Sequence, residues 1–144
     1  MNEWRTRFQG SRDRTLMLLI PPERYARQPD FVAAHLSGVI VLDWRAEFLR
    51  TVRPAQRYLN LSVRGEVERL KQASAARKGD ALCFINTEYA LAHFSYDERQ
   101  EFWRALWGDF PYSDAILIYA ALDARELLPD LAQWKQAGRV LSPA

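Results

Sequence analysis

Residues 80–88 read DALCFINTE, a short apolar run that ends abruptly in polar side chains. The run Ala81–Ile85 contains an aromatic and a β-branched residue, which is typical of a strand covered on both faces of a sheet. Ligands of open α/β sheets bind in the crevice at the carboxyl ends of such strands. We therefore expect Asn86, Thr87 and Glu88 to lie at the functional edge of the sheet, next to its central strand.

Similar apolar runs recur along the chain, separated by helical patterns. Strands are predicted at residues 15–20, 39–42, 81–85, 115–121 and 139–141, and the first four carry the pattern of buried strands. Helices are predicted from Pro29, from Trp44 to about Val52, from Ser62, from the capping box Ser95–Glu98 and from Pro129, with Asp43 and Asp123 as N-caps. This alternation predicts a three-layer α/β/α fold with a mostly parallel five-stranded sheet.

The 144 residues divide into a basic arm, residues 1–14, and a single α/β domain, residues 15–144. The arm carries four arginines around a glycine and a serine, with Trp4 and Phe8 as its apolar anchors. A domain of this length buries enough surface to fold without disulfides or a structural metal.

Cysteine and histidine content argues against a metal site. One cysteine and two histidines provide no set of ligands with zinc spacing, and no metal or cofactor is predicted. The N-terminus lacks the apolar core of a signal peptide, and no run approaches the ~20 apolar residues that span a bilayer. We expect a reduced, cytoplasmic protein that does not cross a membrane, with Cys83 as inert packing inside a strand.

The positive charge is carried mainly by arginine. The formal net charge is only +2, and lysine occurs only at Lys71, Lys78 and Lys135. Arginine pairs with carboxylates and phosphates in bidentate geometry, although a solvated surface is its ordinary role. The candidate contacts to a protein partner or to nucleic acid are Trp4, Arg5, Arg7, Arg12, Arg14, Arg24, Arg27, Arg53 and Arg57.

The order of several features points to a known protein family. A first strand ends in Pro21-Pro22 before a helix, a second strand follows, and residues 49–61 read LRTVRPAQRYLNL. A further helix then leads to the hydrophobic strand before residues 86–88, NTE. Together these features resemble the small P-loop protein of the BREX phage-resistance systems, over about residues 15–123. The resemblance implies a P-loop-NTPase-like fold and a role in phage defence.

The phosphate-binding elements of that family are missing. A Walker A loop is rich in glycine and holds phosphates with backbone N–H groups and a lysine. Here residues 21–27 read PPERYAR, without glycine or lysine, and the acid expected at the end of the central strand to position Mg²⁺ is the neutral Asn86. The resemblance therefore implies a pseudo-ATPase with a degenerate nucleotide site made of Pro21, Pro22, Glu23, Arg24, Asn86 and Glu88.

Three functions remain open. The first is a non-catalytic adaptor or regulatory component of a BREX-like defence system that binds a protein partner. The second is a DNA-binding accessory protein that uses its arginines and shows steep salt dependence. The third is a divalent-metal phosphotransferase or nuclease that uses the acids after four predicted strands, Glu23, Asp43, Glu88 and Asp123. Helix capping explains Asp43 and Asp123 without a metal, and no catalytic residue is predicted.

Overall fold

The computed structural model describes residues 15–51, 61–108, 110 and 115–142, and within them it contains a five-stranded sheet. The strands are β1 (Thr15–Ile20), β2 (Ile40–Asp43), β3 (Ala81–Ile85), β4 (Ile116–Leu122) and β5 (Val140–Leu141). Their order across the sheet is β2-β3-β4-β1-β5, and every neighbouring pair is parallel. The predicted parallel five-stranded sheet is confirmed.

Helices join the strands in the predicted alternation. A 3-10 helix (Pro22–Arg27) and α1 (Gln28–His35) lie between β1 and β2, and α2 (Trp44–Thr51) and α3 (Val63–Ala75) lie between β2 and β3. After β3 come α4 (Glu88–His93) and α5 (Tyr96–Gly108), and after β4 come a 3-10 helix (Arg125–Leu127) and α6 (Leu131–Gln136). None of these helices has the length and apolar character required to cross a membrane.

Alternate strand residues face two separate hydrophobic clusters. On β1, Leu16 and Leu18 belong to one cluster and Met17 to the other, as the two-residue period of a strand requires. The cluster around Leu16 takes its helical side chains from α1 and the residue after it: Phe31, Val32 and Leu36. The helical side chains in the cluster around Met17 come from the later helices and include Trp44, Val67, Leu91, Phe102 and Trp134. Helices therefore cover both faces, which gives three α/β/α layers.

The strand order explains which helix lies on which face. The chain moves across the sheet in one direction from β1 to β2 and in the opposite direction through β3, β4 and β5. Right-handed crossovers that run in opposite directions pass over opposite faces of a sheet. Among the described helices, α1 therefore covers one face, and α2 to α6 pack against the other.

The second strand is not the buried strand that the sequence predicts. β2 lies at an edge, where β3 is its one partner among the described residues, and its side chains alternate between half-buried and exposed. Val41 is 39% exposed. β3 is a buried interior strand between two parallel neighbours, β2 and β4, as predicted, and β4 occupies the middle position of the five.

Most of the predicted helix caps are confirmed. The Asp43 carboxylate accepts a hydrogen bond from the Ala46 N–H at 3.0 Å, and the Ser62 hydroxyl oxygen accepts one from the Gly65 N–H at 3.0 Å. The capping box Ser95–Glu98 has both of its hydrogen bonds, at 3.2 and 2.9 Å. Local side-chain chemistry therefore fixes where α2, α3 and α5 begin.

The cap predicted at Asp123 is wrong. The 3-10 helix after β4 has Ala124 at its N-cap and no side-chain capping bond. The capping carboxylate in this region belongs to Asp130, which accepts a hydrogen bond from the Ala132 N–H at 3.1 Å and begins α6 after Pro129 rather than at it. Asp123 is an exposed residue that directly follows β4.

Candidate functional site

The carboxyl ends of the strands lie at one edge of the sheet because their register is aligned. Asp43 at the end of β2 pairs with Ile85 at the end of β3. The fully buried Thr87 then ties the chain after β3 to β4, since its hydroxyl donates a hydrogen bond to the Ala120 carbonyl at 2.6 Å. The residues that follow these strands are thus held in place by the sheet itself.

Asn86 leaves β3 in an unusual backbone conformation. Its φ is 56°, in the left-handed region that asparagine tolerates better than most residues. The buried Gln28 of α1 makes two hydrogen bonds to it: the Asn86 N–H donates to Gln28 Oε1 at 2.9 Å, and Gln28 Nε2 donates to Asn86 Oδ1 at 2.7 Å. This pair joins α1 to the end of β3 and holds the strained turn in place.

The two bonds also fix the orientation of both side-chain amides. A backbone N–H needs an acceptor, so the atom of Gln28 that faces it must be the oxygen. The Gln28 nitrogen then faces Asn86, whose Oδ1 accepts the second bond. This assignment leaves the Asn86 amide nitrogen as a donor for other groups.

A cavity of about 400 Å³ lies beside Asn86 at this edge, and we call it the edge pocket. Its volume is within the range of pockets that hold small ligands. Its lining combines aromatic and aliphatic side chains with one cation, one carboxylate and one amide. The lining residues are Tyr25, Arg45, Phe48, Leu49, Asn86, Glu88, Tyr89 and Ala92.

One wall of the edge pocket is an aromatic pair. The rings of Phe48 and Tyr89 stack with their centroids 5.2 Å apart and their planes at 26°. Phe48 is buried, at 5% exposure, whereas its neighbour Leu49 is 50% exposed. The pocket therefore has an aromatic wall held by stacking and, at its rim, an exposed leucine.

A buried ionic cluster supports this wall from behind. Glu66, which is 1% exposed, accepts hydrogen bonds from Trp44 Nε1 at 3.1 Å and from the Tyr89 hydroxyl at 3.2 Å, and it forms an ion pair with Arg69. The Arg69 guanidinium lies 4.4 Å from the ring centroid of Trp44 and 5.0 Å from that of Phe48. These contacts link α2, α3 and α4 and set the position of both aromatic wall residues.

Burial dominates the protonation of this cluster. It raises the pKa of the Glu66 carboxyl, and the charge of Arg69 offsets that effect only in part. Burial, together with the negative charge of Glu66, also raises the pKa of Tyr89. The Tyr89 hydroxyl therefore keeps its proton at neutral pH and can donate it to Glu66.

Tyr25 brings a neutral polar group to the edge pocket. Its hydroxyl is buried and has no hydrogen-bond partner in the part of the chain that the structure describes. Burial and the Glu88 carboxylate raise the pKa of this hydroxyl, whereas the nearby Glu88 backbone and Gln28 side chain, and then Arg45, act in the opposite direction. Tyr25 therefore presents an uncharged hydroxyl to the edge pocket, close to Gln28 and Glu88.

The residues of the predicted nucleotide site do not share one cavity. Asn86 and Glu88 line the edge pocket. Pro21, Glu23 and Arg24 instead line a second cavity, of about 450 Å³, beside α1. The structure thus brings these residues to the same edge of the sheet but divides them between two concave surfaces.

A 3-10 helix occupies the position directly after β1. Pro22 is exposed at its start, and the Arg24 N–H donates a hydrogen bond to the Pro21 carbonyl at 2.9 Å. Arg27, predicted as a partner contact, lies 3.5 Å from Asp30, and both side chains are more than 70% exposed. Such an exposed ion pair contributes little to stability, so Arg24 and Arg27 remain surface cations.

The four acids after the strands do not assemble a metal site. Within residues 15–51, 61–108, 110 and 115–142, no group of three or more histidine, cysteine, aspartate or glutamate side chains could hold a metal ion. Asp43 is the cap of α2, Glu23 and Glu88 line different cavities, and Asp123 lines a third one with Arg125. These positions separate the carboxylates from one another.

Several predicted contact residues lie outside the described residues. They are Trp4, Arg5, Arg7, Arg12, Arg14, Arg53 and Arg57. The basic arm, residues 1–14, is outside as well.

Most residues of the edge pocket differ from those predicted from the sequence. The predicted site residues at the strand ends are mainly acids and arginines, whereas Tyr25, Phe48 and Tyr89 form the walls. A positional signal was available, because Arg45 follows the end of β2 by two residues and Tyr89 follows the end of β3 by four. The contribution of Tyr25 and Gln28 depends on how the segment after β1 folds back, which local patterns do not encode.

A scan against protein-family models, a search of curated proteins and a search of solved structures each found nothing that matches.

Proposed function

We propose that this protein is a P-loop-like but non-catalytic adaptor of a cytoplasmic, BREX-like phage-defence system, and that it acts by binding a protein partner. The observation that carries the proposal is the 3-10 helix Pro22–Arg27 at the position of a phosphate-binding loop. Pro21 and Pro22 have no backbone N–H to offer a phosphate, and the Arg24 N–H is already bonded to Pro21.

Topology supports a P-loop-like origin. The sheet is all-parallel and has helices on both faces, and the segment after β1 stands where a phosphate-binding loop would begin. β4 lies between β1 and β3. The residue after β3 is Asn86, whose side-chain Oδ1 accepts a hydrogen bond from Gln28 and whose backbone N–H donates one to Gln28. An amide held in this way is a poor substitute for an acid that positions Mg²⁺.

Exposed apolar side chains support a protein partner. Among the described residues, the large hydrophobic side chains that are exposed are Val41, Leu49 and Tyr96. Two of them, Val41 and Leu49, belong to the edge strand β2 and to α2, which directly follows it. An edge strand with an exposed valine and a helix with an exposed leucine suit a partner surface better than they suit water.

The catalytic part of the proposal is tested with nucleotide. Calorimetric titration with Mg·ATP should give no binding heat, and no phosphate should be released on prolonged incubation, because the loop that would hold the phosphates is absent. A dissociation constant near 1 μM, about −8 kcal/mol, would contradict the proposal.

The partner is tested by a pull-down from cells that express the native operon. Val41→Lys should reduce recovery of the partner at least about tenfold, whereas Tyr96→Lys, a matched change at an exposed residue of α5, should leave it unchanged. Nuclease treatment separates the DNA-binding alternative, since a partner bridged by DNA would be lost from the wild type. Equal recovery by both variants would refute the assignment of this surface.

A further inference from the structure

The edge pocket holds two opposite charges that do not neutralise each other. Arg45 and Glu88 both line it, and neither takes part in an ion pair within the described residues. The nitrogen and oxygen atoms of the two side chains are therefore more than 4.0 Å apart, the limit that defines such a pair. Both charges act on the Tyr25 hydroxyl, and both line the same cavity of about 400 Å³.

The rest of the lining is suited to the apolar part of a ligand. Phe48, Tyr89, Leu49 and Ala92 supply aromatic and aliphatic surface next to the two charges. The Phe48–Tyr89 stack is held by the buried Glu66 cluster, so this wall is formed before any ligand arrives. A preformed wall lowers the entropic cost of binding.

Two neutral polar groups complete the pocket. The Tyr25 hydroxyl is buried without a partner, and the bonds with Gln28 leave the Asn86 amide nitrogen free to donate. A buried hydroxyl with no partner costs free energy unless a ligand or water satisfies it. The pocket thus offers a cation, an anion, a hydroxyl and an amide donor around an apolar wall.

We propose that the edge pocket binds a small zwitterion with an apolar body, namely a free α-amino acid that has an aromatic or branched aliphatic side chain. Arg45 pairs with its carboxylate, Glu88 with its ammonium group, and the side chain packs against Phe48 and Tyr89. This proposal does not depend on the adaptor function. The same pocket could serve in a protein of another function that senses or carries such a ligand.

Other ligand classes use the pocket less completely. A nucleotide would bring its phosphates toward the Glu88 carboxylate, with Arg45 as the one cation in the lining. An uncharged apolar molecule would leave Arg45, Glu88 and the Tyr25 hydroxyl without partners. A zwitterion satisfies both charges at once.

The first test uses the wild-type protein and four probes. Calorimetry or NMR titration compares L-phenylalanine with L-leucine, with 3-phenylpropionate, which lacks the ammonium group, and with 2-phenylethylamine, which lacks the carboxylate. Both amino acids should bind, and each phenyl analogue should bind at least about tenfold more weakly than L-phenylalanine. Equal affinity for L-phenylalanine and either analogue would overturn the proposal, and so would the absence of saturable binding up to about 10 mM.

The second test locates the two charge contacts. Arg45→Gln should remove the advantage of L-phenylalanine over 2-phenylethylamine, and Glu88→Gln should remove its advantage over 3-phenylpropionate. The controls are Arg104→Gln and Glu101→Gln, which make the same charge changes at exposed positions of α5 outside the pocket. If the control variants alter affinity as much as the pocket variants do, the assigned contacts are wrong.

Discussion

At the residue scale, the most consequential group is a carboxylate that lies behind the pocket rather than in it. Glu66 is buried, yet it holds three partners in place: Trp44, Arg69 and Tyr89. Replacing a buried ion pair with apolar groups is often neutral, but removing one partner leaves the other charge unpaired. Glu66 therefore couples the aromatic wall of the edge pocket to the start of α3.

We expect Glu66 to make the free energy of unfolding depend on pH. Because burial raises its pKa in the folded state above the ordinary 4.5, the folded protein holds this proton more tightly than the unfolded chain does. As pH rises from 4.5 through the raised pKa, the wild type should lose stability relative to Glu66→Gln, by about 1.4 kcal/mol for each tenfold difference in proton affinity. Urea unfolding of both proteins across this pH range measures the difference. A difference that stays constant, or that changes in the opposite direction, would contradict it.

At the element scale, the beginning of α3 combines a cap with a glycine that makes room for it. The Ser62 hydroxyl oxygen accepts a hydrogen bond from the Gly65 N–H, and a Cβ added at Gly65 would lie 3.0 Å from that oxygen. The glycine lowers helix propensity by up to about 1 kcal/mol relative to alanine. Glycine is found at this position because a side chain there would crowd the capping oxygen of Ser62.

A double-mutant cycle tests this coupling. Ser62→Ala should cost about 1 kcal/mol, because it removes the capping oxygen. Gly65→Ala should then stabilise the Ser62→Ala protein by up to about 1 kcal/mol but stabilise the wild type less, since the new methyl group presses on the Ser62 oxygen. Denaturant unfolding of the four proteins gives the coupling energy. Strict additivity would mean that the cap and the glycine act independently.

The start of a helix could be predicted from the sequence, whereas the position of a strand in the sheet could not. Caps at Asp43, Ser62 and Ser95 follow from side chains within three residues of the helix start, and all three were predictable. The exposure of β2 was not, because its residues resemble those of a buried strand. Whether a strand lies at an edge depends on the crossover after β1, which no local pattern contains.

At the scale of the whole molecule, the larger of the two hydrophobic clusters fills the space between the sheet and helices α2 to α6. Phe84 of β3 is fully buried there and meets Trp44 edge-on, with ring centroids 4.7 Å apart. The layer architecture was predictable because apolar strands and amphipathic helices alternate. The edge pocket was not, since its residues come from segments after β1, β2 and β3 that meet only in the folded chain.

Phe84→Asp should unfold the domain. It places an unpaired charge in the core, and losses above about 4 kcal/mol approach the total stability of a typical domain, about 5–15 kcal/mol. Val41→Asp, on the neighbouring edge strand, serves as the matched control and should still melt cooperatively, because Val41 is 39% exposed. Circular dichroism melting curves compare the two. A cooperative transition for Phe84→Asp would mean that the core lies elsewhere.

The strand order also governs how the chain can fold while it is being made. β1 is synthesised first among the strands, yet its partners are β4 and β5: Thr15 pairs with Leu117, and Met17 pairs with Val140. β2 and β3 can associate much earlier. Because domains form from the N-terminus during translation and distant contacts form slowly, the apolar residues of β1 stay without their native partners until about 100 further residues have been made.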